Sequence, residues 1–231
     1  MRLDASGGTR TLVVDETFAS FYRPGEIATR CVWDAIAAPI LWLPERRRRR
    51  ILILGLGGGS IARLARALAP DAEILGIELD PEVVRLARAH FELDALGIEV
   101  EIADAFEWLK RDGGRRDRPF DVILEDIFIG SGDEVHKPAW IPDPAHPLAW
   151  KRLARGGVFV SNTLDESARV SARMRKRFGG VIAIGTEDYD NQVLVGSDAR
   201  LTGRALRSRV ANDPILADSL SLHSFRSLRV R

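Results

Sequence analysis

Four features, in fixed order along 231 residues, carry groups able to bind and to react. The first is the run ILILGLGGGSIARLA at residues 51–65, in which Gly55, Gly57, Gly58 and Gly59 join an apolar strand to a helix. Glycine permits the sharp turn and lets a ligand approach the backbone without meeting a Cβ. The helix that begins near Ser60 adds free N–H groups and a positive dipole end. The second is Glu78 in GIELDPEVV, a carboxylate able to accept both hydroxyls of a ribose. Its neighbour Asp80, just before Pro81, reads as a helix cap. The third is Asp104 in ADAFEWL, either a helix cap or an acceptor for the exocyclic amine of adenine. The fourth is Asp126 in FDVILEDIF. It can take a proton from an amine or hydroxyl or orient an amine lone pair; the plainer alternative is an acid that contacts the cofactor or caps a turn. Leu56, Ser60, Leu79 and Ala105 complete the expected cofactor contacts. Glu125 is expected to point away from Asp126, because side chains alternate along a strand.

A glycine loop, a ribose acid and an adenine acid on three successive strand ends point to S-adenosylmethionine rather than NAD. An NAD enzyme needs a catalytic domain that this chain is too short to contain. Methyl transfer from a sulfonium is an in-line displacement from a donor already activated. Alignment and desolvation can supply roughly 7–11 kcal/mol of it, so neither a metal nor a protein nucleophile is required. No HExxH or paired-cysteine pattern occurs, the histidines (His90, His136, His146, His223) are scattered, and no metal is expected.

The elements that position these groups alternate. Strands are predicted at 51–55, 73–78, 98–102, 120–125 and 156–161, with helices near 59–69, 81–94, 104–112, 144–155 and 165–177. GGVIAIG and NQVLVGS follow as two strands joined by the acidic turn TEDYD. The pattern predicts an α/β, Rossmann-like fold: a mostly parallel seven-stranded sheet ending in an antiparallel hairpin, with helices on both faces. Residues 49–231 form this domain. Residues 1–48 form a short N-terminal hairpin and helix appendage, with a strand at TLVV, a turn at DET and an apolar helix, CVWDAIAAPILWL, broken near Pro39. The connection from Ile127 to Pro147 is long enough to act as a lid or substrate wall. Its His136 and Trp140 are either acceptor contacts or parts of a solvated loop anchored by Trp140.

With these residues in place, the chain resembles class I S-adenosylmethionine-dependent methyltransferases, and among them the spermidine-synthase-like branch. The resemblance runs from about residue 11 to 197 and rests on LILGLGGGS, GIELDPEVV, ADAFEWL, FDVILEDIF and ARGGVFVSN. The segment DETFASFYRPGEIATRCVWDAIAAP is similar to the one that precedes the domain in that branch, which implies that Tyr22 folds over the active site. Spermidine synthases carry an aspartate in a GGGDGG loop that grips the aminopropyl amine; here the matching residue is Gly58. The first aspartate of their DSSDP-like sequence matches Asp126, but the second falls on Ile129, and their GDG becomes Ala103-Asp104-Ala105. A buried cationic amine left without its carboxylate costs about 3–5 kcal/mol. The expected function is therefore N- or O-methyl transfer to a small-molecule or peptide acceptor. Aminopropyl transfer from decarboxylated S-adenosylmethionine is the alternative, and a non-catalytic cofactor-binding homologue is a third.

Hydrophobic residues make up 45% of the chain, enough for a substantial core, and the net charge of +1 gives no pull toward nucleic acid or membrane. The run Arg46–Arg50 is a solvated linker or a phosphate-binding patch. AIAAPILWL, the longest apolar-rich stretch, is too short to span a bilayer. The N-terminus lacks the apolar core of a signal peptide, and the lone cysteine, Cys31, fits a reducing, cytoplasmic setting. A homodimer is allowed, with Trp33 and Trp42 as candidates for its face; the C-terminal HSFRSLRVR reads as a surface tail or dimer contact.

Overall fold

The computed structural model describes residues 1–111 and 118–230. Three antiparallel strands open the chain: β1 (Arg2–Ser6), β2 (Thr9–Val14) and β3 (Thr17–Tyr22). The two-residue turn between β2 and β3, Asp15-Glu16, has φ of 46° and 61°, the twist that tight hairpins require. Sequence reading found one strand here because TFASFY alternates too weakly to stand out. Leu12 and Tyr22 of this sheet pack on Val83 and Phe91 of the larger domain. Helix α1 (Val32–Ala37) follows, and the chain tightens at Pro39 into a 3-10 turn over Ala38–Trp42. Asp34 is fully buried and accepts from Thr29 N, Thr29 Oγ1 and Arg30 N at 2.7–2.9 Å, which fixes the entry into α1.

The main sheet is assembled from β4 (Arg50–Leu54), β5 (Glu73–Glu78), β6 (Glu99–Ile102), β7 (Phe120–Glu125), β8 (Leu153–Thr163), β9 (Gly180–Thr186), β10 (Gln192–Ser197) and β11 (His223–Leu228). The helices that cover it are α2 (Ser60–Leu68), α3 (Pro81–His90), α4 (Ala105–Lys110), α5 (Ala145–Lys151), α6 (Ser167–Arg177) and α7 (Gly203–Ala211). The strand order is β11-β9-β10-β8-β7-β4-β5-β6. Strands β4 to β8 are parallel, whereas β10 runs antiparallel to both β8 and β9. From β4 the chain goes outward to β5 and β6, then returns to lay β7 and β8 on the other side. That reversal opens a crevice at the strand ends between β4 and β7, the place where such sheets bind ligands.

The sheet has eight strands rather than the seven expected. The C-terminal segment is no tail: His223–Leu228 adds an edge strand to β9, with Phe225 opposite Ile184. Helix α5 stops at Lys151 and β8 begins at Leu153, so the helix expected to run to 155 is shorter. The helix expected over 81–94 ends at His90, where Glu92 takes a left-handed φ of 52° and the chain enters a 3-10 turn over Leu93–Leu96. The helix expected over 104–112 ends at Lys110, and residue 112 lies outside the described residues.

Three arginines of the run are tied into the fold, while Arg46 and Arg49 remain exposed. Arg47 bonds the Arg155 carbonyl at 2.7 Å, Arg48 bonds those of Leu43 and Leu68 at 2.9 Å, and Arg50 pairs with Glu73 at 3.0 Å. Trp33 is 3% exposed and is therefore spent inside the chain, not on a dimer face. Trp42 packs beneath the Arg209 guanidinium. Among the described residues no helix is long and apolar enough to cross a membrane.

One aromatic cluster ties β8 to the helices beneath it. Phe159 is fully buried, edge-on to His146 and Trp150 and stacked on Phe178. Phe159→Ala should cost about 3–5 kcal/mol, read as a lower urea midpoint with an unchanged slope.

Candidate active site

The crevice between β4 and β7 opens into a cavity of about 680 Å³, within the usual range for small-molecule sites. Its floor is the strand ends of the sheet. Its roof is the hairpin turn of the N-terminal sheet, from Val14 to Ser20, which meets the loop after β7 where Gly132 N donates to Asp15 O at 3.1 Å.

Gly55 makes the floor possible. Its φ is 84°, and a Cβ there would lie 2.5 Å from the carbonyl oxygen of Asp126, so only glycine lets the two strand ends lie side by side. Gly57 N donates to Glu78 Oε2 at 2.8 Å, while Leu79 N and Asp80 N hold Oε1 at 2.8 and 3.1 Å. Three backbone donors thus orient the Glu78 carboxylate on the cavity wall. Leu79, 63% exposed, presents an apolar side chain on the same wall. Asp104 caps α4 through Glu107 N at 2.8 Å and borders the cavity beside Ala105; the two roles proposed for it are compatible. Asp80 caps α3 through Glu82 N at 2.7 Å, as expected. An apolar shelf between two wall carboxylates, next to a turn with glycine at Gly55, Gly57, Gly58 and Gly59, fits an adenosine moiety.

Gly58 and Ser60 serve the roof. Gly58 N donates to Ser20 Oγ at 2.6 Å, and Ser60 Oγ both accepts from Phe21 N and donates to Phe21 O at 2.9 Å. The Ser60 hydroxyl is therefore committed to strand β3. A Cβ at Gly58 would lie 2.8 Å from Ser20 Cβ, so the roof occupies the space that an aspartate in this loop would need. The remaining loop residues, Leu56 and Gly59, are buried beneath it, Gly59 in a left-handed conformation that starts α2.

Asp126 faces the cavity from the end of β7. Asn162 Nδ2 donates to its Oδ1 at 2.8 Å, Asn191 Nδ2 in turn donates to Asn162 Oδ1 at 3.1 Å, and Trp33 of α1 lines the cavity with it. Burial pushes its carboxyl above the usual aspartate range, against the pull of Lys137 and the Asn162 bond. Glu125 points to the opposite face and is 1% exposed. Burial alone would raise its carboxyl, but the Lys137 charge and the His146 bond outweigh it and hold the group well below the ordinary glutamate range.

Trp140 reaches the cavity and stacks on Phe106 with ring centroids 5.2 Å apart. His136 does not: it is exposed, and its backbone pairs with Ile129 at 2.9 Å to pinch the loop. Tyr22 is also withdrawn from the site. Its ring is 4% exposed and lies between Phe91 and the Arg63 guanidinium. Tyr22 and Ser20 share the inner face of β3, and the register shift against β2 between Leu12 and Val13 carries Phe18 to the other face, where it takes the rim, edge-on to Trp33 at 4.8 Å. Sequence reading missed Trp33, Phe18, Asn162, Tyr189 and Asn191, all of which line the cavity. Only Asn162, at the end of a strand beside the Asp126 strand, left a local signal. The charged residues lining the cavity are Asp15, Glu78, Asp80, Asp104 and Asp126; among the described residues no lysine, arginine or histidine joins them.

A family model described as "Methyltransferase domain" matches residues 47–194, and the chain belongs to that family. Its fold is that of class I S-adenosylmethionine-dependent methyltransferases, shared with spermidine synthases. The chain is 33% identical over 147 residues to the polyamine aminopropyltransferase of Vibrio vulnificus, covering 62% of this chain and 47% of that protein. It is 28% identical over 154 residues to the eEF1A lysine and N-terminal methyltransferase of Danio rerio, covering 63% of this chain and 22% of the other. It spans about half the length of the curated aminopropyltransferases it matches. A probable spermidine synthase from Corynebacterium glutamicum superposes with a TM-score of 0.75 at 22% identity, covering 97% of this chain and 86% of that one. Human methyltransferase-like protein 13 in complex with SAH gives 0.62 at 22% identity, covering 82% and 90%.

Because the roof fills the space at Gly58, Gly58→Asp should destabilise the fold by about 1–3 kcal/mol and loosen β3. Urea unfolding, with proteolysis of residues 1–22, measures both.

Proposed function

We propose that this protein is an S-adenosylmethionine-dependent methyltransferase whose acceptor is an amine. The observation that carries this reading is the charge of the cavity: every charged residue on its lining is acidic, and one of them, Asp126, is desolvated at the switch point of the sheet. Such a lining favours a cationic sulfonium donor together with an amine acceptor, and opposes an acidic acceptor. Both named relatives act on amines, the polyamine enzyme and the lysine and N-terminal methyltransferase, which supports the same choice.

In this reading Glu78 accepts the ribose hydroxyls, Asp104 accepts the adenine amine and Leu79 packs on the ring. S-adenosylmethionine supplies an electrophilic methyl group on a sulfonium sulfur. Asn162 holds the Asp126 carboxylate in one orientation. Asp126 then accepts a hydrogen bond from the acceptor nitrogen, aims its lone pair and takes the proton released as the N–C bond forms. Trp33, Phe18 and Trp140 exclude water and offer ring faces to a cationic acceptor. A reducing cytoplasm suits the single thiol of Cys31.

Aminopropyl transfer is the second reading. One observation favours it: among the described residues the cavity lining offers no side-chain cation to the carboxylate of the donor, a group that the decarboxylated donor lacks. Against it stand the two acids it would need, replaced by Gly58 beneath the roof and by Ile129, 46% exposed at the loop. Titration calorimetry and turnover with each donor, over a panel of diamines and lysine-containing peptides, separate the two. Methyl incorporation with release of S-adenosylhomocysteine is expected. Absence of binding at millimolar S-adenosylmethionine overturns the proposal, and faster turnover with the decarboxylated donor selects the second reading.

Asp126→Asn should lower kcat by about 10²–10⁴-fold with donor affinity retained. Because burial raises the Asp126 carboxyl, it takes up its proton at a higher pH than an ordinary aspartate. Turnover should therefore fall along an acid limb set by that group, and the limb should vanish in Asp126→Asn.

A further inference from the structure

Behind Asp126 lies a charged pair that the cavity chemistry leaves unused. The Glu125 carboxylate is saturated: Lys137 Nζ donates at 2.5 Å, Ser161 Oγ at 2.6 Å and Ile127 N at 2.8 Å, and His146 Nε2 lies at 3.3 Å. Lys137 is 3% exposed, an unusual place for a lysine. Its ammonium also donates to Ile127 O at 2.8 Å and stands 4.0 Å from the centre of the Phe128 ring, while its backbone N donates to Glu166 at 2.7 Å. The loop that Lys137 belongs to carries Ile127, Phe128, Ile129, Val135 and Trp140 along the cavity wall. Lys137 thus fastens this wall back onto the strand that ends in Asp126.

Stability alone does not call for such a pair, since a well-packed apolar substitute often does as well. Its position is informative. Glu125 and Asp126 are consecutive acids on one strand end, and a second carboxylate so close opposes the ionisation of the first. Lys137 supplies the compensating charge.

We propose that Glu125 and Lys137 are a positioning pair for the reaction, seating the acceptor wall and keeping the charge beside Asp126 balanced. The proposal rests on the reading of Asp126 as the acid at the reacting end. The titratable groups around Asp126 are Glu125 of its own strand, Lys137 of the loop and His146 of α5 on the far face, and Asp15, Glu78, Asp80, Asp104 and Tyr189 on the cavity lining; Asn162 and Trp33 complete its surroundings.

The test is the titration of Asp126 by carboxyl carbon NMR in the full chain, with Asp126→Asn identifying its resonance. The two carboxyls are coupled, so the midpoints are read as apparent values of the pair. Lys137→Met should move the Asp126 midpoint up by about 1–3 pH units, Glu125→Gln should move it down, and the double variant should return it close to wild type. Equal titration in all four proteins, or both single variants moving the same way, overturns the proposal. If Lys137→Met does not fold, Glu125→Gln and the double variant decide: a downward move that the second change reverses supports the pair, and no move overturns it. This readout needs no turnover. Opposed NMR shifts in a protein that transfers no methyl group would therefore sink the functional reading and leave the pair standing. In an active enzyme the acid limb of kcat should follow the same order of variants.

Discussion

The contact on which the rest of the site depends is between two backbones. Where β4 ends and turns, Gly55 lies against the carbonyl of Asp126 at the end of β7, with no room for a Cβ between them. These are the two parallel strands at which the chain reverses its direction of winding. A side chain at Gly55 would force them apart and widen the crevice just where donor and acceptor must meet. The close approach sets the distance between the glycine loop and the carboxylate of Asp126. It also explains why the glycine loop and Asp126, 71 positions apart in the chain, act as one site.

The roof is a second assembly built onto that floor. Ser20 and Phe21 of β3 are fastened to Gly58 and Ser60 by short hydrogen bonds, and Leu12 and Tyr22 sink into the apolar patch formed by Val83 and Phe91. The loop's glycines and first helical serine are thus shared between the ligand cavity and the N-terminal sheet. That sharing gives Gly58 a steric reason: the seat of a loop carboxylate is taken by the sheet that closes the cavity. Closure also raises the weight of every charge inside, because a carboxylate removed from water interacts more strongly with its neighbours.

The acids inside the cavity are unequal for the same reason. Glu78 and Asp104 have backbone donors that fix their orientation at the mouth of the sheet. Asp126 has the Asn162 amide as its side-chain donor and is desolvated, which favours its protonated form. Glu125, one residue earlier and on the other face, meets Lys137, His146 and Ser161 and stays ionised. Strand alternation alone sorts the two neighbouring carboxylates into opposite environments.

Taken alone, the sequence determined the parallel sheet, the glycine turn and the acids at the ends of β5, β6 and β7, together with the cap at Asp80. These are local signals: apolar runs that alternate with amphipathic helices, and residue types that a turn or cap requires. Only the tertiary structure decided which residues face the cavity from far away. Tyr22 and Phe18 share a strand, and its register sends Phe18 to the rim and Tyr22 into the patch under Arg63. His136 clasps its loop outside the cavity, and Trp33, with the dress of a dimer contact, lines the cavity. The eighth strand was hidden because HSFRSL has no apolar run of its own and becomes a strand only by pairing with the exposed edge of β9. Lys137 shows the limit most plainly. Nothing near it in the sequence marks it for burial; its partners are Glu125, twelve residues earlier, and Glu166, twenty-nine residues later, and packing alone brings them together.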